Sequence, residues 1–404
     1  MATDIDTVST LGVAVIGAGM AGRAHAAGYR VAPTLFGGGL PDVRLVAIAD
    51  VNAEFAADAA RRYGYERAES DWKAIATAPD IQVVSVVVAN PLHREIVEGL
   101  LDAGKHVLCE KPMAPSVADA EAMVAAAEAS GRQAAVGFTF RRSPAISAIR
   151  EQVRAGAIGS PIAFAARYWC DYGVDPGRPM SWRYRGGPGS GALSDVGSHT
   201  LDVAEFLCGP IVAVRGAVLS TVVTERPVPL GTAKGHAAAA VSDVREPVDN
   251  DDHTTFTAVF ASGATGTFSV SRVAYGHPNT LAFDVLGEAG AATFDLNRPG
   301  EFGFVDGTAP DETPGYRQVL VRPGHPYVTG GFPMDFPAVG HGQNDFFPLQ
   351  ARAFLEQVAG IDGLPSCASF AEGLHNLRLI DAVVTSARSD GAEVRIDPPK
   401  NGIS

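Results

Sequence analysis

The amino-acid sequence predicts an α/β protein in two parts: an N-terminal doubly wound parallel sheet and a C-terminal α+β domain with a large, mostly antiparallel open sheet. Three observations predict it. A short apolar run near the N-terminus opens through a glycine-rich turn into a helix-like segment. Strand-like and alanine-rich segments then alternate as far as about Gly137. From Arg141 onward the texture changes to longer strand-like runs separated by turns. Alternation implies parallel strands joined by right-handed helical crossovers, whereas strand after strand implies antiparallel pairing.

Leu11-Gly12-Val13-Ala14-Val15-Ile16 reads as a buried parallel strand, and Gly17-Ala18-Gly19-Met20-Ala21-Gly22 leads from it into the helix-like Arg23–Tyr29. This is the strand–Gly-x-Gly-x-x-Gly–helix context of a Rossmann dinucleotide site. One glycine makes the tight turn, the next lets backbone approach a pyrophosphate, and the last lets helix pack on strand. A second apolar strand, Val43 to Ala49, ends in Asp50. Its carboxylate can accept hydrogen bonds from a ribose 2′-hydroxyl and would repel a 2′-phosphate, so NAD is expected rather than NADP. Asp50 lies farther from the glycines than the usual ~20 residues. The excess is assigned to a loop, Pro33 to Pro41, that contains Gly37-Gly38-Gly39.

The remaining elements follow from pattern. Val83–Val88, His106–Leu108 and Ala134–Phe138 read as strands, and Ala53–Tyr63, Leu92–Ala103 and Val117–Ala129 as helices. Residues 1–140 are thus expected to form the nucleotide-binding domain and residues 141–404 a substrate-binding and oligomerisation domain. In the second part, a helix (Ser143–Ala155) leads through Gly159-Ser160-Pro161 into a strand, Ile162–Trp169. Further strands are expected at Ile211–Leu219, Thr254–Phe260, Thr265–Val270, Leu281–Leu286 and Ala291–Phe294, and closing helices at Asp345–Val358 and Phe370–Ser389. Segments 226–252 and 306–342 are rich in Pro, Gly and Asp and read as long loops.

Two places carry candidate chemistry. Asp195 and His199 stand four residues apart in a helix-like run, so they would share one face. An imidazole titrating near neutrality beside a carboxylate suits removal of a hydroxyl proton; a surface ion pair would show the same spacing. The second place is Cys109-Glu110-Lys111-Pro112, where a strand runs into a proline-restricted turn. In a doubly wound sheet ligands gather beyond the carboxyl ends of the strands, which puts Lys111 where a nicotinamide would lie.

These segments, in this order, resemble the glucose–fructose oxidoreductase / inositol dehydrogenase / MocA (Gfo/Idh/MocA) family. Asn90-Pro91-Leu92-His93, Phe138 to Pro144, Trp182-Arg183, Gly191 to Asp202, Gly263-Ala264-Thr265-Gly266 and Phe370-Ala371-Glu372-Gly373-Leu374 extend the match over most of the chain. The resemblance implies an NAD-dependent oxidoreductase that moves a hydride between nicotinamide and a secondary alcohol of a sugar, cyclitol or anhydrosugar. It implies Lys111, Asp195 and His199 as the proton-handling group, with the base being either the lysine or the histidine. It places Asn90, His93, Glu110 and Lys111 beside the cofactor with the glycine cradle and Asp50. The Lys111–Pro112 peptide bond is expected to be cis, as in relatives. Homodimers or homotetramers formed through the open sheet are implied as well. Two other activities fit the same motifs: a redox-neutral NAD-dependent glycosidase, and a non-catalytic NAD-binding regulatory protein.

Substrate recognition is less legible. Trp182, Arg183, Tyr168 and the segment Gly340 to Phe347, including Asn344, offer polar groups beside aromatic faces. Asn344 or Asp345 could instead cap the helix that follows. His93 is either a cofactor neighbour or a structural histidine.

Composition bounds the rest. A chain of 404 residues with 46% apolar content can bury two cores. A net charge of −13 disfavours nucleic acid and anionic membrane as partners. No run is long enough to span a bilayer, and Met1 to Asp6 has neither the basic nor the apolar region of a signal peptide. Cys109, Cys170, Cys208 and Cys367 lack metal or redox spacing, which fits a reducing cytoplasm.

Overall fold

The structure, a computed structural model, describes residues 10–231, 240–307, 315–336, 339–399 and 402–403. The reading of Met1 to Asp6 lies outside these residues, as do parts of the two segments read as loops. The chain divides into two compact units, Met1–Arg142 with Arg322–Leu374, and Ser143–Val321 with His375–Ile403.

The first unit begins β1 (Thr10–Ile16), α1 (Met20–Val31), β2 (Asp42–Ala49), α2 (Ala53–Tyr63), β3 (Arg67–Glu69) and α3 (Trp72–Thr77). It continues β4 (Val83–Val86), α4 (His93–Asp102), β5 (His106–Cys109), α5 (Val117–Ser130) and β6 (Ala134–Val136). The second unit contains α6 (Pro144–Arg154), β7 (Pro161–Trp169), α7 (Ser198–Cys208), β8 (Ile211–Ser220), β9 (Glu225–Pro229) and β10 (Val241–Pro247). Strands β11 (His253–Phe260), β12 (Thr265–Ser271), β13 (Thr280–Gly287), β14 (Gly290–Asp295), β15 (Glu301–Val305) and β16 (Arg317–Leu320) follow. The chain then forms α8 (Gln343–Ala359) and β17 (Ala368–Ser369) in the first unit, α9 (Phe370–Arg388), and β18 (Val394–Arg395) in the second.

The first sheet has the order β17-β6-β5-β4-β1-β2-β3, parallel except for the antiparallel edge strand β17. Apart from the half-buried Thr10, strands β1 and β4 are apolar or small and buried, as a sheet covered on both faces requires. Helix α8 packs on α1, where Gly28 admits the carbonyl of Phe347: a Cβ there would lie 2.9 Å from that oxygen. The segment Pro33 to Pro41 is partly structured, because Ala32–Gly37 forms a 3-10 turn whose Leu35 and Gly38 carbonyls accept from the buried Arg352.

The second unit is built on a nine-stranded sheet, β16-β15-β14-β13-β7-β12-β11-β8-β18, antiparallel except for β7 with β12. Alternation along the strands sorts its two faces. One carries Phe164, Phe256, Phe268, Phe283 and Phe294, with Phe256 stacked on Phe268 at 4.6 Å and Phe283 on Phe294 at 5.4 Å. The other carries Ala165, Thr255, Thr257, Thr265 and Thr267, none of them buried. Within 226–252 the expected loop is corrected: β9 and β10 pair as an antiparallel ribbon. The β10 side chains are mostly exposed, so no burial period marks the strand in the sequence. The ribbon is anchored instead by Arg226, fully buried, which donates to the carbonyls of Gly173 and Asp175 and lies 3.8 Å over the Tyr184 ring.

No helix of the described residues is long and apolar enough to cross a membrane.

Candidate active site

In the first unit the three glycines of the turn have three different surroundings. Gly17 has φ +103, and a Cβ there would sit 2.0 Å from the Val87 carbonyl oxygen. A Cβ on Gly22 would sit 1.8 Å from the Gly17 oxygen, so helix and turn touch backbone to backbone. Gly19 is the opposite case: no heavy atom lies within 4 Å of its Cβ position. It is the N-cap of α1 and supplies no side chain to the first amides of that helix. Open space in front of unengaged helix amides, with their positive dipole end, is a fit for a pyrophosphate. Ala18 is buried, Ala21 half-buried and Met20 exposed at the rim.

Asp50 ends β2 and ties the cradle together. Its Oδ2 accepts from the Ala18 amide at 2.8 Å and its Oδ1 from the Asn52 amide at 2.8 Å. Each oxygen keeps a second lone pair for a ribose hydroxyl. Asp50→Ala is therefore expected to raise KM for NAD⁺ by about 10- to 100-fold, the worth of a charge-assisted hydrogen bond, with kcat largely kept. Steady-state kinetics with varied NAD⁺ checks this, and an unchanged KM would remove Asp50 from cofactor binding.

Beyond β5, the Lys111–Pro112 peptide bond is cis. Lys111 is half-buried, and its amide donates to Glu110 Oε2 at 3.1 Å. Glu110 in turn pairs with Nε2 of the buried His25 at 2.8 Å, and His25 Nδ1 lies 3.0 Å from Ser85 Oγ, which also meets the Tyr29 hydroxyl at 2.9 Å. Burial pushes the Glu110 carboxyl up, but His25 and Lys111 outweigh it and hold the group below its ordinary range. His93 has no exposed surface; its ring nitrogens lie 3.1 Å from the Met113 carbonyl and 3.0 Å from that of Val88. Asn90 is half-buried in a 3-10 turn, Asn90–Leu92, at the head of α4.

In the second unit the Asp195/His199 run is not one regular helix. Leu193–Gly197 forms a π turn that carries Asp195, and His199 follows on the first turn of α7. Single π turns cluster at functional sites. The amides of Gly189, Gly191 and Leu193, which precede or open the turn, are taken by the buried Asp251 carboxylate at 2.9, 3.1 and 2.7 Å. Asp195 is half-buried, and its Oδ2 accepts from the Tyr172 hydroxyl at 2.6 Å. His199 is 8% exposed, with its ring 6.0 Å from that of Tyr168.

The expected recognition residues fall on elements of both units. Trp182 is half exposed, and the Arg183 guanidinium lies 4.5 Å over its ring. Asn344 is exposed near the start of α8, in the other unit. The N-cap of that helix is Gly342, and the carboxylate of Asp345, in the first turn, accepts from its amide at 2.7 Å. His25, Tyr172 and Asp251 are additions that the sequence reading did not reach.

A glycine cradle opening a parallel sheet, with Asp195 on a π turn and His199 on the helix turn that follows in the second unit, is the pattern of a pyridine-nucleotide oxidoreductase. Residues 11–138 match the GFO_IDH_MocA model, described as an oxidoreductase family with an NAD-binding Rossmann fold, and residues 146–293 match the GFO/IDH/MocA C-terminal domain. The chain is 37% identical over 392 residues to levoglucosan dehydrogenase of Pseudarthrobacter phenanthrenivorans, covering 95% of this chain and 97% of that protein. A solved levoglucosan dehydrogenase in complex with NADH and L-sorbose superposes with a TM-score of 0.87 at 35% identity, over 97% of this chain and 100% of that one. An oxidoreductase domain protein from Kribbella flavida gives 0.86 at 36% identity, over 96% of this chain and 100% of that one. The chain belongs to the Gfo/Idh/MocA family of NAD-binding oxidoreductases.

Proposed function

We propose that the protein oxidises a secondary alcohol of a sugar or anhydrosugar with NAD⁺, levoglucosan and its close analogues being the first candidates. The observation that carries this reading is the Asp195/His199 couple at the buried head of α7. Full-length similarity to levoglucosan dehydrogenase supports the substrate class.

Residues 1–140 carry the nucleotide and residues 141–404 the substrate side of the reaction. NAD, when bound, supplies the hydride acceptor. Gly17 to Gly22 and the first amides of α1 hold its pyrophosphate, Asp50 its ribose, and Asn90, Glu110 and Lys111 border its nicotinamide end. An imidazole nitrogen of His199 takes the proton from the substrate hydroxyl oxygen. Lys111 Nζ donates to that same oxygen and stabilises the negative charge growing on it. Asp195 accepts from a neighbouring hydroxyl and fixes the ring orientation of the sugar. Trp182, Arg183 and Asn344 extend the recognition surface, and His93 braces it from behind.

The test is a panel of anhydrosugars, aldoses, inositols and glycosides with NAD⁺ and NADP⁺, read as absorbance of the reduced nicotinamide. NADH formation with an anhydrosugar or free sugar is the expected result. Glycoside cleavage without net NADH would overturn it.

The second face of the nine-stranded sheet, whose Ala165, Thr255, Thr257, Thr265 and Thr267 are exposed or half-buried, supports assembly as a homodimer or homotetramer through that face. Light scattering on the eluted protein is expected to give two or four chain masses; a monomer at micromolar concentration would exclude it. The acidic charge supports the absence of a nucleic-acid partner, and the scattered free cysteines support a reducing, cytoplasmic setting.

A further inference from the structure

Tyr172 has no part in the reaction as described so far, yet its hydroxyl donates to Asp195 Oδ2 at 2.6 Å, a short bond of the charge-assisted kind. We propose that Tyr172 is a positioning residue that locks Asp195 as a fixed, acceptor-only carboxylate, so that the site reads a substrate hydroxyl solely as a hydrogen-bond donor. The proposal rests on Asp195 contacting substrate, as in the function proposed above.

Both ends of the bond are anchored. On the tyrosine side, the Cys170 amide donates to the Ser271 carbonyl at 2.8 Å and the Gly173 amide to the Arg272 carbonyl at 2.7 Å. Arg226 Nη2 donates to the Gly173 carbonyl at 2.6 Å, and a Cβ on Gly173 would meet the Arg272 oxygen at 2.7 Å. The 170–173 backbone is therefore seated on the end of β12 with no room to shift. On the aspartate side, the Asp195 amide donates to the Gly191 carbonyl at 2.9 Å, and the residues before the π turn hang from Asp251. One buried tripeptide, Asn250-Asp251-Asp252, registers the two sides. Asp251 takes the 189–193 amides, while Asp252 Oδ1 and Asn250 Oδ1 accept from Arg272 at 2.7 and 2.6 Å.

The direction of transfer is set by chemistry. Burial first, and the Asp195 charge next, push the Tyr172 phenol well above its ordinary value. The phenol stays protonated and is a permanent donor, so Asp195 has one oxygen committed and its rotamer held. A polyol hydroxyl reaching Asp195 then has to donate. A deoxy or keto carbon at that position offers no proton and forfeits the hydrogen bond to the carboxylate, which is how a site rejects an analogue lacking a hydroxyl.

The test compares Tyr172→Phe, Asp195→Ala and the double variant in the full-length protein, with the sugar that the panel identifies and its deoxy analogues. Tyr172→Phe is expected to lower kcat/KM by about 10-fold or more, mostly through KM, and to narrow discrimination against one deoxy analogue. Any carboxylate limb of the pH–kcat/KM profile, below the imidazole limb, should move up, because a carboxylate that has lost a donor holds its proton more tightly. The double variant should be no worse than Asp195→Ala alone. If Asp195→Ala is impaired while Tyr172→Phe keeps the parent KM, pH profile and deoxy discrimination, the Tyr172 assignment fails and that of Asp195 stands. If Asp195→Ala itself behaves as the parent, both fail. A lowered melting temperature in Tyr172→Phe with parental kinetics would reduce the bond to a structural one.

Discussion

His199→Ala is expected to lower turnover by about 10²- to 10⁴-fold, the usual contribution of a positioned general base, with NADH binding retained. The expectation follows from where the imidazole sits. His199 is on the first turn of α7, almost wholly buried, against the Tyr168 ring and next to the turn that carries Asp195. A histidine so enclosed has few orientations open to it. The glycine cradle belongs to the other unit, and His199 is no part of it. Fluorescence titration with NADH separates binding from turnover. The pH profile separates the two candidates for the base. If His199 accepts the proton, the residual activity of His199→Ala loses the limb near neutrality that an imidazole provides. If that limb survives in His199→Ala and disappears in Lys111→Met, the lysine is the base. Turnover within about 10-fold of the parent would take His199 out of the chemistry altogether.

The cradle was legible in the sequence because its physics is local. Gly17, Gly19 and Gly22 are needed for a turn, an open approach and a helix contact within six residues, and each need is visible in the spacing. The antiparallel sheet was legible because alternation survives in segments such as Thr254 to Phe260, where every second residue is buried. Tyr172 and Asp251 gave no comparable signal. Their partners lie 23 and about 60 residues away, and a tyrosine after a strand or an aspartate before one is ordinary on its own. His25 did carry a sign. It falls with Gly22, Ala26 and Tyr29 on the buried stripe of α1, and an imidazole on such a stripe calls for a partner, which here is Glu110. The π turn was out of reach for a related reason: spacing of four predicts a shared face only if the ladder is regular, and here a distant carboxylate takes the amides that lead into it.

That carboxylate carries the second large effect. Asp251→Ala is expected to destabilise the protein by about 3–5 kcal/mol, because three buried backbone N–H groups and the Thr254 hydroxyl lose their acceptor together. The side chain is 2% exposed, and water cannot take its place without opening the 189–193 segment. Local relaxation is blocked as well. A Cβ on Gly191 would fall 1.9 Å from the Asp251 carbonyl oxygen, so this backbone is packed at contact distance and has no slack to find another acceptor. Asp251→Asn keeps one carbonyl oxygen but turns an NH₂ toward amide donors, and should recover only part of the loss. Urea unfolding at constant protein and NADH concentration measures the difference. Because the π turn hangs from these bonds, the surviving folded fraction should show weaker sugar binding with NADH binding intact, since Asp195 then slips relative to His199. Stability within about 1 kcal/mol of the parent would mean that the three amides are satisfied elsewhere, and that Asp251 does not set the turn.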